Sequence, residues 1–109
     1  MKIPLLVVFG FLLNAPNLWA QENAAVAGLA SQLGCLLCHN AEAKLVGPAY
    51  KAVAEKYKDQ PDAVAILTNK VKMGGAGVWG RVPMPAHPLV PDEQVKALVN
   101  WVLKGAPAK

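Results

Sequence analysis

The sequence predicts an all-α protein. Three observations carry this: apolar residues recur at intervals of three and four in separate segments, clusters of Gly and Pro divide those segments, and no alternating stretch is long enough for a sheet. At 109 residues the chain supports one small domain at most. With 54% hydrophobic and 17% charged residues it is too apolar for a disordered tail, and its 9 Gly and 9 Pro follow no collagen-like period.

The first element is a leader. Met1-Lys2 precedes an apolar run from Ile3 to Leu13, and a small residue follows at Ala20, which is the pattern of an export signal. The run is about half of the ~20 residues that span a bilayer, so stable membrane insertion is not expected. Residues 1–20 are read as a signal peptide cut after Ala20, and residues 21–109 as the domain; the destination is the periplasm. The cut removes Phe9, Phe11 and Trp19, leaving Tyr50, Tyr57, Trp79 and Trp101 as the aromatic residues. That is thin for a domain so small that its core alone is marginal. A single pair of cysteines, two residues apart, cannot compensate by closing a loop. The shortage points to a cofactor inside the fold.

The helices follow in order. Val26, Leu29, Ala30 and Leu33 line one face of a helix ending near Gly34. Ala49 to Lys58 forms a second, with Val53 and Tyr57 four apart and Pro48 suited to a first turn. Pro61-Asp62 opens a third, carrying Val64, Leu67 and Val71 and stopping at Gly74-Gly75. The last has the stripe Val95, Leu98, Val99, Val102, Leu103, with Asp92 and Glu93 in its first turn, and ends at Gly105 before Pro107.

Between the first two helices lies Cys35-Leu36-Leu37-Cys38-His39. This spacing is the signature of covalent c-type haem attachment: two thiols add to two vinyl groups, and the adjoining imidazole comes under the iron. On one helical turn the two sulfurs and the ring converge on a single face. Other readings of the pair fit less well. A thioredoxin-like dithiol belongs in a βαβ context, and a structural zinc site needs four ligands where only His39 and the distant His87 join the cysteines. A plain short-range disulfide is the remaining alternative.

Gly74 to Val90 reads as one long irregular stretch, uncommon in a small domain unless it serves a function. Iron held by His39 needs an account of its other side, and Met84 is the strongest candidate: its thioether is soft and Pro83 and Pro85 stiffen the backbone on either side. Met73, at a helix end, reads as core filling. His87 would give a site with two imidazoles, and an open position would admit small molecules.

The motif Cys35-Leu-Leu-Cys38-His39, then Val46-Gly47-Pro48-Ala49, then Gly77-Val78-Trp79-Gly80 leading into Val82-Pro83-Met84-Pro85, and last Ala97 to Leu103, resemble the small monohaem class I cytochromes c of bacterial periplasms. The similarity spans essentially all of residues 21–109. It implies a cytochrome c fold of four to five helices wrapped around one covalently bound haem c. By the same resemblance Cys35 and Cys38 are the thioether attachments and His39 and Met84 the axial ligands. The Pro48 carbonyl accepts the His39 Nδ1 proton, and the Trp79 indole donates to a haem propionate. Trp101 reads as core, where the first and last helices cross.

The chain departs from that pattern at two positions. His87 stands where related chains often have an amide near the ligand sulfur, and Ala30 where an aromatic is common. Arg81 could reach a propionate as a cation. The formal charge is +4, lowered by one when Lys2 leaves with the leader and offset further by two propionates, which argues against a nucleic-acid partner. Lys44, Lys51, Lys72 and Lys96 could instead ring an exposed haem edge and steer an acidic redox partner.

The expectation is a soluble, monomeric, periplasmic electron carrier that cycles one electron between a donor and an acceptor protein and is not an enzyme. A haem domain with a labile sixth ligand, binding gases or reducing peroxide, is one alternative. An electron-entry subunit of a larger oxidoreductase is another.

Overall fold

A computed structural model describes residues 1–5, 10 and 17–109. Most of the apolar run from Ile3 to Leu13, read from the sequence as part of an export signal, therefore lies outside the described residues. Helix α1 is Leu18–Gln32, α2 Tyr50–Tyr57, α3 Ala63–Met73 and α4 Asp92–Leu103, with a single 3-10 turn at Cys35–Leu37. Among the described residues there is no strand. The one extended pairing is an isolated antiparallel bridge between Gly75 and Met84.

Each helix end has a local cause. The Asn17 side chain accepts the Trp19 N–H at 3.1 Å and starts α1, so this helix begins ahead of the apolar face at Val26. The proposed cut after Ala20 thus falls within α1, and Leu18 and Trp19 on its leader side are both exposed. Gly34, at φ 79°, turns the chain out of α1 and directly into the cysteine turn. Helix α3 stops at Gly74 as its glycine pair predicts. Helix α4 opens with Asp92 and Glu93, whose charges suit its N-terminus, and it ends ahead of Gly105 at φ 90°.

Helix α4 is the common wall. Val95 and Val99 pack with Val53, Tyr57, Ala63 and Leu67 from α2 and α3. Further along the same helix, Leu98 and Trp101 pack with Ala30, Tyr50 and Ala106. Val95 is wholly buried, a burial that stabilises by about 2 kcal/mol. Trp101 is in the core, as expected, and its indole N–H donates to the Pro107 carbonyl at 2.8 Å, which fastens the C-terminal segment over α4. Ala30 is fully buried against this cluster, so the small side chain permits close approach of α1.

Met73 does not fill the core. It is 71% exposed, because it lies two positions beyond Val71 and so on the far side of α3 from the inward stripe.

Candidate functional site

The turn at Cys35–Leu37 follows from α1 ending at Gly34. Its backbone bonds, Cys38 N–H and His39 N–H both to the Cys35 carbonyl, bring the motif into one tight loop. Both cysteine sulfurs are free and half-buried, and burial pushes the Cys35 thiol above its ordinary pKa. The next segment is laced back onto the motif: Gly47 N–H donates to the Cys38 carbonyl at 2.7 Å, and Tyr50 N–H to the Asn40 carbonyl at 2.9 Å. The Asn40 side chain accepts from the Glu42 and Ala43 N–H groups and closes the turn between them.

These ties fix His39. Its Nδ1 lies 2.8 Å from the Pro48 carbonyl, so Nδ1 carries the proton and donates it, leaving Nε2 as the ring's free lone pair. The ring stacks on Tyr50, with centroids 4.9 Å apart and planes 18° from parallel, and Tyr50 in turn meets Trp101 edge-on at 5.5 Å. Burial pushes the Tyr50 phenol well above its ordinary range, so it stays neutral. The backbone of Gly47 closes the other side: a Cβ there would come within 2.5 Å of the ring.

The expected distal residue is held from α3. Gly75 and Met84 exchange both backbone hydrogen bonds, at 3.0 and 2.8 Å, and the His87 N–H donates to the Val71 carbonyl at 3.0 Å. Together these walls enclose a cleft of about 540 Å³, mostly apolar, which Cys35, Cys38, His39, Pro48, Trp79 and Met84 all line. It divides the core, since Val53, Leu67 and Val99 from one cluster and Tyr50 from the other face into it. Every residue expected at the site is thus brought to one cavity. Its donor set, two thiols, one free imidazole nitrogen and one thioether in an apolar setting, fits a covalently attached haem. Among the described residues no group of three or more His, Cys, Asp or Glu could hold a metal ion, which leaves the zinc reading without support there.

A family model for cytochrome c matches residues 24–106. The chain belongs to the cytochrome c family. It is 48% identical over 79 residues to cytochrome c-552 of Nitrosomonas europaea, covering 72% of this chain and 77% of that protein. It is 53% identical over 75 residues to cytochrome c-552 of Hydrogenobacter thermophilus, covering 69% and 76%. The crystal structure of the wild-type Nitrosomonas europaea cytochrome c552 superposes with a TM-score of 0.70 at 47% identity, over 72% of this chain and 98% of that one. This cytochrome is therefore a small haem c protein of electron transport with the cytochrome c fold. It works with redox partners. No helix among the described residues is long and apolar enough to cross a membrane.

Of the four lysines that could ring the haem edge, Lys44 lines the cleft, together with Lys70 and Arg81. Lys51 instead pairs with Glu42 at 2.7 Å and holds its carboxylate below the ordinary range, and Lys72 turns to backbone carbonyls. Lys70 and Tyr50 went unrecognised as site residues. A cation or aromatic on a helix carries no local sign of the cavity it will face. Trp79 sits in the turn closed by Gly77 N–H on the Gly80 carbonyl, with the Lys56 ammonium 5.7 Å from its ring centre. His87 lines the cleft too, and its Nδ1 is buried without a hydrogen-bond partner.

Proposed function

We propose that this cytochrome c is a soluble, monomeric periplasmic electron carrier, exported by residues 1–20. Cys35 and Cys38 would hold one haem c through thioethers, and His39 Nε2 and Met84 Sδ would ligate its iron. The bound haem supplies the redox chemistry, one electron gained or lost between Fe(III) and Fe(II). The protein's part is to hold and to exclude. Donation from His39 Nδ1 to the Pro48 carbonyl sets the tautomer and raises the basicity of Nε2. Gly47 and Tyr50 restrain the ring, so the imidazole would keep one orientation in either oxidation state. With His39 and Met84 both committed to the iron, no ligand position would remain for a substrate, which is why the reading is a carrier and not an enzyme. Trp79, on the cleft wall, would donate its indole N–H to a propionate.

One observation carries this reading: His39, already committed through Nδ1 at 2.8 Å, shares a cavity with both cysteines and Met84. Spectra of the oxidised and reduced protein beside those of Met84→Ala test it. The ferric parent should show the weak red-end band that depends on a methionine sulfur, and the variant should lose it together with a fall in reduction potential. If the variant kept the parental ligation, His87 would replace Met84 as the ligand. Pigment released by acidified organic solvent would remove the thioether attachment. A mature protein found outside the periplasmic fraction, or one not beginning near Gln21, would remove the export reading.

A further inference from the structure

We propose that Lys72 is the positioning residue for the Met84 ligand, a clasp that keeps the ligand loop closed; this rests on the reading of Met84 as an axial ligand. The reason begins in the sequence. Between Met84 and α4 the chain runs through Pro85, Pro88 and Pro91, none of which has a backbone N–H. The segment therefore carries more acceptors than donors, and among the described residues its one internal backbone bond is the long one from Val90 N–H to the His87 carbonyl at 3.4 Å. Its one backbone bond to α3 is from His87 N–H to the Val71 carbonyl.

Lys72, the neighbour of Val71, supplies what is missing. Its ammonium reaches the Val90 carbonyl at 2.6 Å, the Pro88 carbonyl at 3.1 Å and Asp92 Oδ1 at 3.0 Å. An ammonium has three N–H donors, and here there are three acceptors for them. The Lys72 side chain is only 24% exposed, so these bonds are partly shielded from water. They join the last turn of α3, the end of the loop and the first turn of α4 at one nitrogen. Met84 is hung between this clasp and its own bridge to Gly75. Releasing the clasp leaves the Gly75 bridge and the His87 N–H bond to the Val71 carbonyl as the restraints on the sulfur.

Mixing the ferric holoprotein with imidazole reads the opening of the loop. Imidazole nitrogen replaces the Met84 sulfur on iron without change of oxidation state, and the red-end band disappears as it does so. Lys72→Met is expected to take up imidazole roughly tenfold faster than the parent, the factor that loss of about one charge-assisted hydrogen bond gives in an opening equilibrium. Asp92→Asn, which removes the charge of one acceptor only, should accelerate uptake by a smaller factor. Lys51→Met, which breaks the exposed pair with Glu42, should leave the rate unchanged. Uptake at the parental rate by a Lys72→Met protein that retains the band overturns the proposal. If that variant does not fold, parental uptake by Asp92→Asn overturns it. So does an acceleration no greater than the increase in the globally unfolded fraction measured by circular dichroism, because that marks a structural role alone. A parent protein without the band refutes the ligand reading, and that result is visible before any variant is made.

Discussion

Gly74→Ala should lose about 4 kcal/mol of stability and release the ligand loop, combining an unfavourable backbone conformation with a steric clash. Gly74 sits at φ 69° and ψ −166°, a region that essentially only glycine occupies. A Cβ there would lie 2.5 Å from the Met84 carbonyl oxygen and 2.7 Å from the Ala86 nitrogen. Both are backbone atoms of the segment that carries the sulfur, so no side chain can swing aside to make room. The loss is a large part of the roughly 5–15 kcal/mol by which domains are usually stable. Denaturant titration followed by circular dichroism should show the lowered midpoint, and the ferric spectrum should lack the sulfur-dependent band. An unchanged midpoint with the band intact would show that the loop does not press on α3 at this point.

Gly47→Ala acts on the opposite wall, and its effect should appear in cofactor loading. The new Cβ would meet the His39 ring at 2.5 Å from Cε1, 2.9 Å from Nδ1 and 3.0 Å from Nε2. The ring has no free direction of retreat while it is stacked on Tyr50 and bound to the Pro48 carbonyl. Gly47 is not among the residues with positive φ, so the penalty here is steric rather than conformational. Displacing the imidazole breaks the bond that sets its tautomer. The ratio of haem absorbance to polypeptide mass in purified material is expected to fall, and the stability of the loaded protein to drop by about 1–3 kcal/mol, the usual cost of overpacking. Parental loading would mean that the ring takes a different position once haem is bound.

How much of this was legible in the sequence depended on whether an element buries one regular face. The stripe from Val95 to Leu103 was readable because α4 presses against α1, α2 and α3, which imprints the helical period on its apolar residues. The start of α1 was not, because Leu18 to Ala25 have no buried residue among them and only the Asn17 cap marks the boundary. Met73 was misjudged from its apolar character alone, when its register places it off the inward stripe of α3. At the site, the cysteine motif and the proline-flanked methionine were visible as local spacing. Stacking of Tyr50 on His39 was not, since it depends on the chain turning back through Gly47 and Pro48. Lys72 was read as a surface charge because its acceptors lie 16 and 18 residues further along the chain.

The division of the apolar residues into two clusters, with the haem cavity between them, bears on the fate of newly made chains. A copy that has not yet acquired its pigment leaves apolar residues of the cleft wall, among them Val46, Val78 and Val82, open to water. Because a tethered haem is buried and fully ligated only in the native form, such a copy would open more often than a completed one and spend longer within reach of proteases. Colour and longevity are then acquired in the same event, and the cell's stock of this polypeptide is sorted by turnover in favour of molecules able to carry current.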